Sequence, residues 1–306
     1  MQNALHALTD ELRRLKAAGI KTVAVSDASL AGLKHALAAR RSAKPEMRRE
    51  KAAMAPVAPL PAPERTVIVA AAPAAPVLTE NLFLPPPVVV LPPGEKPARW
   101  AALREVVWHD QICCGRVRAG KKVVFGVGSL DAKIMFVGEA PGAEEEVQGE
   151  PFVGAAGQLL TKMIQGMGLK REDVYISNIM NWRPEIPTEP DAAQIGNRPP
   201  TEGEMRYCLP YLRAQIEVVN PDLLVALGST AAQGLLGFGS FKALGEVRGR
   251  WHDFSGKPLM VTYHPSYILR NQSNRSKRMI WEDLLKVMDR AALPISEKQR
   301  SYFLER

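Results

Sequence analysis

Four short apolar runs, each stopping at residues of different chemistry, constrain the fold of this chain more than any other feature. Ala132-Lys133-Ile134-Met135-Phe136-Val137 stops at a loop from Gly138 to Gly157, and Val174-Tyr175-Ile176-Ser177 stops at Asn178. Leu223-Leu224-Val225-Ala226-Leu227 stops at Gly228-Ser229-Thr230, and Leu259-Met260-Val261-Thr262-Tyr263 stops at His264-Pro265-Ser266. Runs this short and this apolar read as strands covered on both faces, as in a parallel sheet. Helical spacing lies between and after them, at Gln158 to Ile164, Glu202 to Val219, Thr230 to Leu236 and Ser276 to Ala292. The expected class is α/β with a central parallel four-stranded sheet. Ligands of such sheets bind beyond the carboxyl ends of the strands, so a carboxylate loop, an amide, a Gly/Ser turn and an imidazole are delivered to one crevice.

The loop GEAPGAEEEVQGEPFVGAAG is the densest part of that crevice. Gly154 to Gly157 lead into a helix whose first backbone N–H groups are free for an anion. No GxxxxGK[ST] phosphate loop occurs, and Gly126-Val127-Gly128 is too short for a dinucleotide fingerprint. Each group also has an ordinary structural reading. Glu144, Glu145 and Glu146 can be a solvated charge run, Phe152 a core anchor, Asn178 a turn former and His264 a buried core residue.

The string GEAPGAEEEVQGEPFVGAAGQLL, followed in order by YISN, NRPPT, LLVALGSTAA, VRG and HPSYILR, resembles the family-4 uracil-DNA glycosylases over residues 98–293. The resemblance implies a three-layer sandwich, and hydrolysis of the N-glycosidic bond of a deoxyuridine flipped out of DNA, leaving an abasic site. It implies catalytic roles for Glu139, Glu145, Glu146 and His264. Glu145 and Glu146 would orient water, Glu139 would hold the loop or touch the base, and His264 would donate to uracil O2 as charge develops there. Gly138, Ala140, Gly142, Phe152 and Asn178 would form the base site, with Phe152 stacking and Asn178 pairing with O4 and N3–H. Gly228, Ser229, Thr230, Ser266, Leu269 and Arg270 would meet DNA, Leu269 and Arg270 within a wedge-like segment. Glu144 is expected in solvent. A related group traps DNA through a histidine placed after the Asn strand, but residues 181–204 contain no histidine, so ordinary turnover is expected. The alternatives are a non-catalytic damaged-DNA-binding relative, a glycosylase of other deaminated bases, or an enzyme of free bases or nucleosides.

Family-4 enzymes typically hold a 4Fe–4S cluster on four cysteines. The corresponding positions here are Gln111, Cys114, Trp182 and Cys208, two thiols instead of four. The expectation is therefore no cofactor and no metal, with Cys114 and Cys208 as neighbouring reduced thiols and Trp182 filling the vacated volume.

The rest of the 306 residues divides by composition. Residues 1–44 read as a helical N-terminal segment, with Leu5, Leu8, Leu12 and Leu15 at helical steps. Residues 45–97 read as a Pro/Ala/Val-rich linker, largely disordered, with 12 of the 25 prolines between Pro56 and Pro97. Residues 98–293 form the catalytic domain, and 294–306 a polar tail. A net charge of +8 suits uracil-containing DNA as partner. Three cysteines, no secretory leader and no apolar span lead to the expectation of a cytoplasmic monomer without membrane contact.

Overall fold

The computed structural model describes residues 85–188 and 193–304. The expected helical N-terminal segment, residues 1–44, and most of the expected linker lie outside the described residues.

A six-stranded sheet forms the centre, in the order β1-β3-β2-β4-β6-β5. Its strands are β1 (Val127–Gly128), β2 (Ile134–Gly138), β3 (Tyr175–Asn178), β4 (Leu223–Leu227), β5 (Trp251–Phe254) and β6 (Lys257–Thr262). The expected four strands are its parallel core: Phe136 lies opposite Ile176 and Val225, and Val225 opposite Met260. The sequence reading omitted the two antiparallel edges, β1 against β3 and β5 against β6. All residues of β2, β3 and β4 are buried, as a sheet covered on both faces requires.

The helices are α1 (Lys96–Trp108), α2 (Gln111–Gly115), α3 (Ala143–Gln148), α4 (Ala155–Gly166), α5 (Glu202–Val219), α6 (Ser229–Leu236), α7 (Leu244–Val247), α8 (Pro265–Arg270), α9 (Asn274–Arg290) and α10 (Glu297–Arg300). Strand alternation divides the core between them. Met135, Val137, Tyr175, Leu224, Ala226 and Val261 point to one face and pack with α1, α5 and α6. Ile134, Phe136, Ile176, Val225 and Met260 point to the other and pack with α4, α8 and α9. Each buried Val, Leu, Ile, Phe or Met among them contributes about 1.5–3 kcal/mol by leaving water. The result is the three-layer sandwich.

Two boundaries differ from the composition-based division. Val89 and Leu91, inside the expected linker, pack against the core although Val88 and Val90 are exposed. At the other end the expected polar tail folds back. Trp281 Nε1 donates to the Gln299 carbonyl at 2.6 Å, Arg278 donates to the carbonyls of Arg300 and Tyr302, and Tyr302 lies 5.1 Å from the Trp281 ring. Charge along this segment masked its apolar anchors, Ile295 and Tyr302.

Candidate active site

The carboxyl ends of β2, β3, β4 and β6 open onto a cleft of about 470 Å³. Glu139, Glu145, Phe152, Asn178, Thr230 and His264 all line it.

The loop after β2 carries a helix that the sequence reading missed, α3, and Glu145 on that helix closes the loop. Its Oε2 accepts from the Gly142 amide at 3.0 Å, and its Oε1 accepts from the amides of Val153 and Gly154 at 3.1 and 3.0 Å. A carboxylate fed by three backbone donors is fixed in place while its charge faces the cleft. The loop then turns at Phe152, whose backbone is left-handed (φ 55°). A side chain at Gly157 would overlap the Phe152 carbonyl, so the turn requires glycine there. Gly138 also makes room by lacking a side chain, since a Cβ on it would strike the Asn178 amide and come within 2.5 Å of the Phe152 ring. It clears space for the groups that line the cleft and is not itself part of the lining.

Glu146 is placed differently from its expected role. It does not line the cleft; its Oε1 accepts from Arg183 at 2.9 Å in a buried ion pair, and Arg183 also donates to Asn197 and the Gly196 carbonyl. The pair fastens α3 to the segment after Asn178. Reading three glutamates in a row cannot reveal this, because the partner lies 37 residues away. Glu146→Gln should therefore cost about 1–3 kcal/mol in stability, seen as a lower melting temperature. Excision by that variant should stay within about threefold of wild type. A hundredfold loss of rate without a melting shift would return Glu146 to the reacting centre. Glu144 is exposed, as expected.

Glu139 reaches Thr230 across the β2 and β4 ends. Burial raises its carboxyl above the usual range, and the Thr230 hydrogen bond partly offsets this. Asn178 is 4% exposed, and its Oδ1 has no hydrogen-bond partner among the described residues. A buried acceptor left unpaired costs stability unless something else fills it.

His264 caps α8, with Pro265 in the first helical position. Its Nδ1 accepts from the Ser266 backbone amide at 3.2 Å and lies 2.9 Å from Ser266 Oγ. A backbone amide can only donate, so Nδ1 carries no proton. Burial, then the positive charge of Arg270, hold the imidazole pKa down to about 4 against an opposing pull from Glu145. The ring is therefore neutral at pH 7 with its proton on Nε2. Ser266, expected against DNA phosphate, contacts this ring through both its amide and its hydroxyl. Gly228 (φ 93°) lets the β4 turn approach, since a Cβ there would lie 3.0 Å from His264 Cβ. The Phe152 and His264 rings stand 5.5 Å apart.

Ala140, Gly142, Gly228, Ser229, Thr230, Ser266 and Arg270 also line the cleft, while Leu269 does not and is 42% exposed. Further lining residues lay outside the expected site set. Tyr263 and Tyr267, which flank His264 in the sequence, stack on each other at 4.3 Å, and Arg248 lies over Tyr263 at 5.1 Å. Their four-residue spacing was a readable signal. Pro184, Asn197 and Arg198 come from the long connection between β3 and α5, where Arg198 grips Glu204 at 2.7 and 2.8 Å.

Residues 125–285 match the model of the uracil DNA glycosylase superfamily. The chain belongs to that superfamily. It is 46% identical over 165 residues to a type-4 uracil-DNA glycosylase of Thermotoga maritima, covering 54% of this chain and 80% of the relative. It is 41% identical over 176 residues to the type-4 enzyme of Archaeoglobus fulgidus, covering 55% and 83%. A type-5 uracil-DNA glycosylase of Pyrobaculum aerophilum is 31% identical over 170 residues, covering 54% and 73%.

Membership corrects the expectation of no cofactor, because the type-4 relatives are iron–sulfur enzymes. The residues of this chain do not by themselves supply the usual four-thiolate set. Among the described residues no group of three or more His, Cys, Asp or Glu stands ready for a metal. The expected thiol pairing is also corrected. Cys113 and Cys208 are the buried neighbours, and their hydrogen bond together with burial pushes the Cys113 thiol far up. Cys114 is exposed, 3.0 Å from the Trp108 carbonyl. Asp110 sets this arrangement by capping α2 at Cys113 and accepting from Tyr207 and Tyr211. Trp182 is buried against Tyr207. No helix among the described residues is long and apolar enough to cross a membrane.

Proposed function

We propose that the chain removes uracil from DNA by hydrolysing the N-glycosidic bond of a flipped deoxyuridine, acting as a cytoplasmic monomer. The observation that carries this is the unpaired Asn178 acceptor in the wall of a cleft that also holds a neutral histidine. An amide offers an acceptor beside a donor, which matches uracil N3–H and O4 and mismatches cytosine. Phe152 offers a stacking face worth about 1–3 kcal/mol.

As the bond from C1′ to N1 breaks, the electron pair moves into the base and negative charge grows on O2. A donor already aimed there binds the transition state more tightly than the ground state, and His264 Nε2–H is such a donor. The sugar becomes cationic and takes up a water at C1′. Glu139 and Glu145 are the two glutamates facing the cleft, and they orient that water and offset the positive charge. Thr230, Ser229 and Arg270 hold the phosphates, and Leu269 fills the gap left in the stack.

The test uses single-stranded oligonucleotides with U, C or T at one site, alongside free deoxyuridine. Abasic sites are expected from the U strand alone. Equal turnover of free deoxyuridine would make the chain a nucleoside hydrolase instead.

The pH dependence follows from His264. Its folded pKa of about 4 lies below the ordinary 6.5. Between these values the unfolded chain binds a proton that the folded chain refuses. Folding stability from this residue therefore falls as pH drops through that window and levels off below it. Excision should show no His264 midpoint near 6.5 and should decline toward pH 4, where a proton on Nδ1 would confront the Ser266 amide. A midpoint near the ordinary imidazole value that disappears in His264→Gln would contradict this.

A further inference from the structure

Behind the loop that carries Glu145 lies a second cleft of about 710 Å³, separate from the one holding Asn178 and His264. Its composition is unlike that of a hydrophobic seam. Trp100, Trp108 and Phe125 supply aromatic surface, and Arg104, Lys121 and Lys122 supply positive charge; Glu150 is the one carboxylate of the lining among the described residues. The Arg104 guanidinium lies over both indoles, 4.9 Å from Trp100 and 4.4 Å from Trp108. Its Nε is buried without a hydrogen-bond partner among the described residues, its Nη2 lies 3.5 Å from Glu105 Oε1, and Trp108 remains 41% exposed. Indole and guanidinium planes are the surfaces on which unpaired bases stack, and flanking lysines track the phosphates between them.

The two clefts share one wall. Gly142, Glu145 and Phe152 face the first cleft, whereas Gln148, Gly149 and Glu150 face the second. Glu150 and Phe152 are two residues apart, about 7 Å at full extension. The same short stretch of loop therefore borders both clefts.

We infer that the second cleft binds an unpaired stretch of DNA flanking the uracil, its bases stacked on Trp108 and Arg104 and its phosphates on Lys121 and Lys122. This rests on the reading of DNA as the substrate. The balance of charge favours a polyanion, and the aromatic stack favours nucleic acid over an acidic peptide.

The test compares the full chain with Trp108→Ala and Lys121→Glu on single strands of five and thirty nucleotides, each carrying one uracil. Both changes are at the surface, and melting curves check folding. Each variant should raise KM on the long strand by about tenfold with kcat unchanged, and neither should alter KM on the short one. An unchanged KM on the long strand, or an equal rise on both lengths, would overturn the inference. Acylation of Lys121 read by mass spectrometry supplies an arm independent of excision. A uracil-free thirty-nucleotide strand should protect Lys121, whereas protection by a polyglutamate peptide and not by DNA would assign the cleft to an acidic protein partner. Lys121 protection in a chain that excises nothing would sink the uracil reading and leave the cleft assignment standing.

Discussion

His264→Ala is expected to slow single-turnover excision of uracil by about 10²–10³-fold, the usual effect of removing one preorganised donor to a developing anion. Folding should survive, because α8 keeps Pro265 and Ile268 as its buried anchors. The loss should fall on the chemical step and leave DNA affinity nearly unchanged. Ser266→Ala is the informative companion. It removes the Oγ contact but leaves the Ser266 amide donating to Nδ1, so the ring keeps its tautomer and the rate should drop only several-fold. Wild-type excision by His264→Ala would remove this residue from the chemistry.

Gly157→Ala should abolish measurable excision although Gly157 touches no substrate. Its missing side chain is what allows the Phe152 carbonyl to pass, and Phe152 is already in a left-handed conformation that a bulky residue enters at a cost. One added methyl must push the Phe152 turn outward. That moves the stacking ring and draws the Val153 and Gly154 amides away from Glu145. A displacement of about 1 Å at a reacting centre is worth about 10² in rate, and here two cleft groups move together. The sheet should still form, since β2 and α4 bury their own apolar faces, so circular dichroism should remain native while melting falls. Near-normal excision by this variant would mean that the loop tolerates a different turn and that Phe152 is not held by it.

The parallel core was legible because strands buried on both faces leave an unbroken apolar run, and the four strand ends could be read directly as chemistry. β1 was not, since two residues carry no period, and β5 was hidden by Trp251-His252-Asp253, whose alternation is too short to separate from a loop. At the cleft, Asn178 and His264 were legible as strand-terminal polar residues. The division of labour among the glutamates was not. Glu145 and Glu146 are adjacent in sequence, yet one serves three loop amides and the other a distant arginine. Which of them faces the cleft depends on the rotation of α3, which a run of like residues does not disclose. The tautomer of His264 likewise depends on a contact two residues on, visible only once α8 is formed.

The proposed mechanism rests on a neutral His264 that donates through Nε2 into the cleft that also holds the open acceptor of Asn178. Ring-nitrogen NMR of the full chain measures it directly. At pH 7 the His264 signal should show an unprotonated Nδ1 and a protonated Nε2, persisting until the ring titrates near pH 4. A ring protonated at both nitrogens at pH 7, or one carrying its single proton on Nδ1, would contradict the assignment.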